Sequence, residues 1–168
     1  MLRVFGVAWG LFGVVLLLAY AIWRLSKHTI EAWAMPWSWL VWLVFIVSVI
    51  FMAYSEGYRG FQKAFSPRVA ARLKHLYEQP QLLRVLLAPA FAMGFFHATK
   101  RRMITSYAVF FGILALVLLF RLLPQPWRGV LDGAVVVGLT WGLIATLIAC
   151  WNAFTDHAFN HPHEVPST

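Results

Sequence analysis

Cysteine, acid and charge of any kind are all scarce in this sequence. A single thiol, Cys150, excludes an internal disulfide and any multi-cysteine metal or iron–sulfur centre within one chain. It lies in an apolar run, where a buried and inert thiol is expected. Charged residues make up 12% of the 168 positions, against about 25% in a soluble domain, which leaves too little polar surface to keep the chain in water. A soluble enzyme is thereby excluded. The six acids, Glu31, Glu56, Glu78, Asp132, Asp156 and Glu164, all fall outside the long apolar runs or near their ends. Ion-coupled transport normally places such a group inside a span, so a coupled transporter is disfavoured.

Apolar residues dominate instead, at 61% of the chain with 17% aromatic. Crossing a bilayer as a helix takes about 20 apolar residues. Four stretches qualify: 4–23, 37–54, 103–123 and 130–154. The first reads as a retained signal-anchor helix, because its apolar run continues past Ala19-Tyr20-Ala21 to Trp23. Segment 82–97 is also apolar apart from Arg84 and His97, but it is short and carries Pro89 and Gly94. A re-entrant or interfacial helix fits it better than a span. The predicted fold is therefore one all-α integral membrane domain with four transmembrane helices, a cytoplasmic segment at 55–102 and a polar tail at 155–168.

The formal net charge of +8 is unevenly placed. Nine of the 14 basic residues, Arg59, Lys63, Arg68, Arg72, Lys74, Arg84, Lys100, Arg101 and Arg102, lie between the second and third spans. By the positive-inside rule that side is cytoplasmic, and both termini lie there with it. Trp33, Trp37, Trp39 and Trp42, with Trp23 and Trp127, form the aromatic belt of the opposite boundary. Short connections and the lack of an organellar transit segment point to a bacterial inner membrane.

Within the basic segment, Ser66-Pro67 reads as a helix start, with the helix running to about Gln79 before Pro80. Val69, Ala70, Leu73, Leu76 and Tyr77 share one face, and basic residues fill much of the rest. Such an amphipathic helix is expected to lie in the headgroup layer. Arg68, Arg72, Lys74, Lys100, Arg101 and Arg102 are then the candidate surface for anionic lipid or an acidic partner protein. Nucleic acid is not an expected partner, because no aromatic-basic binding module is present. Glu56 and Arg59, three apart, are placed for a local salt bridge.

Histidine gives the best case for a metal or haem. His97 closes segment 82–97, while His157, His161 and His163 follow the fourth span, all on the same predicted side. No nucleophile has a recognisable histidine and acid partner. Helix packing is signalled more consistently, since Gly6 and Gly10, Gly129 and Gly133, and Gly138 and Gly142 each have the spacing that lets two backbones approach closely.

These features read best as a non-catalytic accessory, assembly or scaffold subunit of an inner-membrane complex, associating with other subunits or with itself. The alternative is a small membrane redox, metal-, haem- or quinone-binding enzyme using His97 and the tail histidines. A third reading is an oligomeric pore or carrier.

Overall fold

A computed structural model describes residues 1–156, 159 and 161–165. Among them there is helix and no strand. The order is α1 (Leu2–Trp33), α2 (Trp39–Met52), a π-helical segment (Ala53–Phe65), α3 (Ser66–Glu78), α4 (Leu82–Leu86), α5 (Ala88–Met93), α6 (Lys100–Phe120) and α7 (Trp127–Thr155). Four helices are long and apolar enough to cross a membrane. They begin and end differently from the four apolar stretches. Helix α1 continues through Arg24, Lys27, His28 and Glu31, because a helix ends where hydrogen bonding and capping end it, not where hydropathy falls.

The second long helix departs most from expectation. Helix α2, the π segment and α3 run on without a break as 40 residues. At 1.5 Å per residue that is about 60 Å, twice the thickness of a hydrocarbon core. Ser66 is accordingly not a cap: the preceding residue is already helical, and its Oγ bonds to Thr146 Oγ1 at 2.9 Å. Proline at the next position has no N–H for the carbonyl four residues earlier, and it enters where the ladder is already in the wider register, the Ser66 amide bonding five residues back to Phe61.

Helix α7 is the hub. It runs antiparallel to α1, with Gly129 against His28 and Ala32, and with Cys150 and Ala153 in one cluster with Val14 and Leu18. It runs parallel to the 40-residue helix, touching Phe45 at Gly133, Glu56 at Gly138, Trp141 against Gly57, and Phe61 at Gly142. The start of α1 and the end of α7 therefore share one end of the bundle, called basal below. The opposite end is apical.

Helix α3 lies in the core and not on a surface. Ser66, Val69, Ala70, Ala71, Arg72, Leu73, His75 and Leu76 are all buried, and of the expected apolar face Tyr77 alone is exposed. The reason is that α1, α7 and α5 enclose it on three sides. Segment 82–97 forms two short helices, α4 and α5, laid along the first turns of α1. Val85 meets Gly6, Ala88 meets Gly10 and Pro89 meets Gly13. Helix α6 stands apart, with most of its side chains uncovered by the rest of the chain.

Candidate functional site

The larger polar clusters of the described chain lie toward the two ends of the bundle, with Glu56, Gln62 and the Ser66–Thr146 pair between them. The apical group is small. Arg128 Nη2 meets His28 Nε2 at 2.7 Å, and since a guanidinium only donates, that ring nitrogen accepts. The other, Nδ1, then donates to Glu31 Oε2 at 3.2 Å. Arg128 Nε lies 3.7 Å from Asp132 Oδ2 one turn on, and Gln125 caps α7 by accepting from the Gly129 amide at 3.1 Å. The Arg128–His28 contact, with Gln125 Nε2 donating to the His28 carbonyl at 3.2 Å, ties α1 to the start of α7.

The basal group is larger and more deeply enclosed. Arg72, 1% exposed, donates from Nε to the Phe91 carbonyl at 2.6 Å, from Nη2 to those of Phe96 and His97 at 2.9 and 3.1 Å, and from Nη1 to that of His163 at 3.0 Å. These carbonyls belong to the end of α5, the irregular stretch after it and the tail. That stretch turns through left-handed backbone at Gly94 and His97, so its carbonyls have no helical partner and need another donor. One guanidinium with five N–H groups supplies those of Phe96 and His97, and also reaches the Phe91 and His163 carbonyls.

Arg84 bridges two imidazoles. Its Nη1 meets His75 Nε2 and its Nε meets His97 Nδ1, both at 3.2 Å. Both ring nitrogens accept, because a guanidinium only donates. The Phe91 ring lies between the two cations, 4.2 Å from the Arg72 guanidinium and 5.6 Å from that of Arg84. His75 stacks on His163 at 4.3 Å, and Arg102 Nε stands 3.7 Å from Glu164 Oε2. The Glu164 carboxylate thus stands beside Arg102, with Arg72 within reach of its charge.

This geometry corrects part of the expected basic surface. Arg72 and Arg102 are buried, because the bundle folds loop and tail carbonyls and Glu164 around them. Lys100 and Arg101 are exposed, and Arg68 and Lys74 are half-buried. The candidate metal ligands are not brought together as a set. His97 Nδ1 is taken by Arg84, His163 Nδ1 accepts from the Val165 amide at 3.2 Å, and His161 makes its contact with the Pro162 carbonyl. His157 lies outside the described residues. Among the described residues no group of three His, Cys, Asp or Glu side chains is placed to hold a metal ion.

Every expected packing glycine faces another element. A Cβ on Gly10 would stand 2.7 Å from Leu73, on Gly133 2.9 Å from Thr29, on Gly6 3.1 Å from Val85 and on Gly138 3.2 Å from Glu56, while Gly129 and Gly142 leave no room against Ala32 and Phe61. Gly112, on α6, has nothing within 4 Å. Glu56 faces Gly138 and makes no ion pair with Arg59 among the described residues. Sequence reasoning passed over His75, Arg84 and Glu164 as site residues. Arg84 had a readable signal, as the lone charge within an apolar run of 15 residues, 82–96.

Set against known proteins, the chain matches no protein family, no curated protein and no solved structure.

Proposed function

We propose that this chain is a non-catalytic accessory or scaffold subunit of a membrane complex, crossing the bilayer four times. The observation that carries the reading is the isolation of α6. Its basal end is pinned by Ser106 Oγ to the Met93 carbonyl at 3.1 Å and by Tyr107 to that of Phe95 at 3.2 Å, yet most side chains of the apolar length beyond are exposed. Its glycine meets no neighbour, whereas the glycines of α1 and α7 are filled from within the chain. A helix left so open is suited to packing against a helix of another subunit. The polar clusters support the same reading, because most of their hydrogen bonds join one element to another.

Orientation follows from the cations that remain exposed or half-buried at the basal end: Arg68, Lys74, Lys100 and Arg101. They favour a cytoplasmic basal face against anionic lipid, in a bacterial inner membrane, with the tryptophan-rich apical end outside.

The deciding experiment is native mass spectrometry of the tagged chain, extracted in mild detergent from its own membrane. A stoichiometric membrane partner, or a defined homo-oligomer, is the expected result. A bare monomer in detergent and in nanodiscs would sink the reading. Cysteines at Lys100 and Ala34 test orientation: membrane-impermeant maleimide should reach Ala34→Cys, and not Lys100→Cys, from outside intact cells.

A further inference from the structure

At the apical end, where α1 gives way to α2, three tryptophans surround a small pocket. Trp33 ends α1, Trp37 stands in the irregular turn after Pro36, and Trp42 lies in the first turn of α2. With Met35 these three indoles line a space of about 210 Å³. The rings of Trp33 and Trp37 meet at 80° and those of Trp37 and Trp42 at 59°, so they stand as walls and not as a flat stack. Trp33, Met35 and Trp42 keep 62%, 44% and 50% of their surface exposed, which leaves the walls open to a ligand.

The fold holds these walls in place. Phe45 backs all three, its ring 6.4, 5.4 and 6.3 Å from those of Trp33, Trp37 and Trp42, and α7 approaches behind it at Gly133, where a Cβ would stand 3.1 Å from the Phe45 ring. Trp37 is fixed further by Nε1, which donates to the Ala32 carbonyl at 2.6 Å. Rings organised in this way lose little freedom when a ligand enters.

The lining selects the ligand. An indole carries negative potential on its face and attracts a cation there, and a thioether is a soft, polarisable contact for methyl groups. Among the described residues, the Lys and Arg side chains that lie over rings meet Trp23, Tyr58, Phe91 and Phe159, and none meets Trp33, Trp37 or Trp42. No lining side chain is a carboxylate, amide or hydroxyl, so a primary ammonium would give up its hydrogen bonds to water with no side-chain oxygen to replace them. A quaternary ammonium has no N–H to satisfy. Size points the same way, since pockets for drug-sized molecules begin at about 300 Å³ and this one holds a single head group. We propose that Trp33, Met35, Trp37 and Trp42 form an aromatic cage for a trimethylammonium group, carried by a choline-type lipid headgroup or by a free quaternary amine.

The test uses the full-length protein in nanodiscs of phosphatidylglycerol, whose headgroup carries no ammonium, with binding read by calorimetry and the heat of empty nanodiscs subtracted. Choline should bind, and its neutral isostere, with carbon in place of nitrogen, should bind at least about tenfold more weakly. Trp42→Leu should lose about tenfold in choline affinity and Trp42→Phe should recover most of it by restoring a ring face. Trp23→Leu, at a tryptophan outside the pocket, should leave the affinity unchanged. Nanodiscs of phosphatidylcholine identify the source of the group. Choline binding at least about tenfold more weakly there assigns the cage to a lipid headgroup, and equal affinity in the two lipids assigns it to a soluble amine. No choline binding in phosphatidylglycerol, equal affinity for choline and its isostere, or wild-type affinity in Trp42→Leu overturns the proposal.

Discussion

The guanidinium of Arg72 stands 4.2 Å from the centre of the Phe91 ring and also donates to the carbonyl of that residue at 2.6 Å. One side chain of α3 thereby holds both the face of a buried aromatic and the end of the helix that carries it. Its remaining donors reach Phe96, His97 and His163, so three separate segments converge on a single residue.

Arg72→Met should therefore be among the more damaging single changes in the chain. Charge-assisted bonds contribute about 1.5–3 kcal/mol each and their loss is only partly additive, so a total loss of about 3 kcal/mol is expected, read as a lowered unfolding midpoint in detergent. Arg72→Lys, with three donors and no planar fork, should fall between the two. An unchanged midpoint for Arg72→Met would mean that the four carbonyls are satisfied in some other way.

The glycines divide by what they face. Gly142→Leu drives a side chain into the Phe61 ring and should cost about 1–3 kcal/mol or prevent folding. Gly112→Leu meets open space and should leave the unfolding midpoint within about 0.5 kcal/mol of wild type. Comparable losses for both would contradict the isolation of α6.

Ser66 Oγ and Thr146 Oγ1, 2.9 Å apart and both buried, link α3 to α7. Thr146 also donates to the Gly142 carbonyl at 2.7 Å, so in that pair Ser66 is the donor. Ser66→Ala should cost about 1 kcal/mol, and Thr146→Val somewhat more because it strands the serine hydroxyl. A double-mutant cycle should return a coupling of about 0.5–1 kcal/mol. Strict additivity would show that the two hydroxyls do not communicate.

Stability should fall on acidification through the imidazole range, about pH 7 down to 5. In the folded chain Arg84 donates to His75 Nε2 and the ring stays unprotonated, whereas the unfolded chain takes up a proton there. The unfolded state binds more protons, so stability rises with pH across that range. His75→Gln keeps an acceptor without a titrating ring and should flatten the dependence. If the slope of midpoint against pH is the same in the variant, another group is responsible.

What could be read in advance, and what could not, follows from where the information sits. Four long helices were legible because an apolar run of 18 to 25 residues with at most one charge has few other fates, and the glycine spacings pointed at faces that do meet other helices. The burial of Arg72 was not legible. Its acceptors come from residues 91, 96, 97 and 163, and nothing near position 72 announces them. Basic side chains in a nominally amphipathic helix look alike whether they face lipid headgroups or a ring of backbone carbonyls. Gly13 was missed for a related reason, since its partner is Pro89 on α5 and not a glycine one turn away. The π segment left no mark in hydropathy, because widening a helix by one residue per turn changes which side chains align without changing what they are.

Helix α7, synthesised after all of them, is the element against which α1, α2, the π segment and α3 are laid. The earlier helices must wait in the translocation machinery or the lipid with their clefts open until α7 emerges. Assembly is therefore a late, concerted step, and a chain stopped ahead of Trp127 should be recognised by quality-control proteases as unfinished.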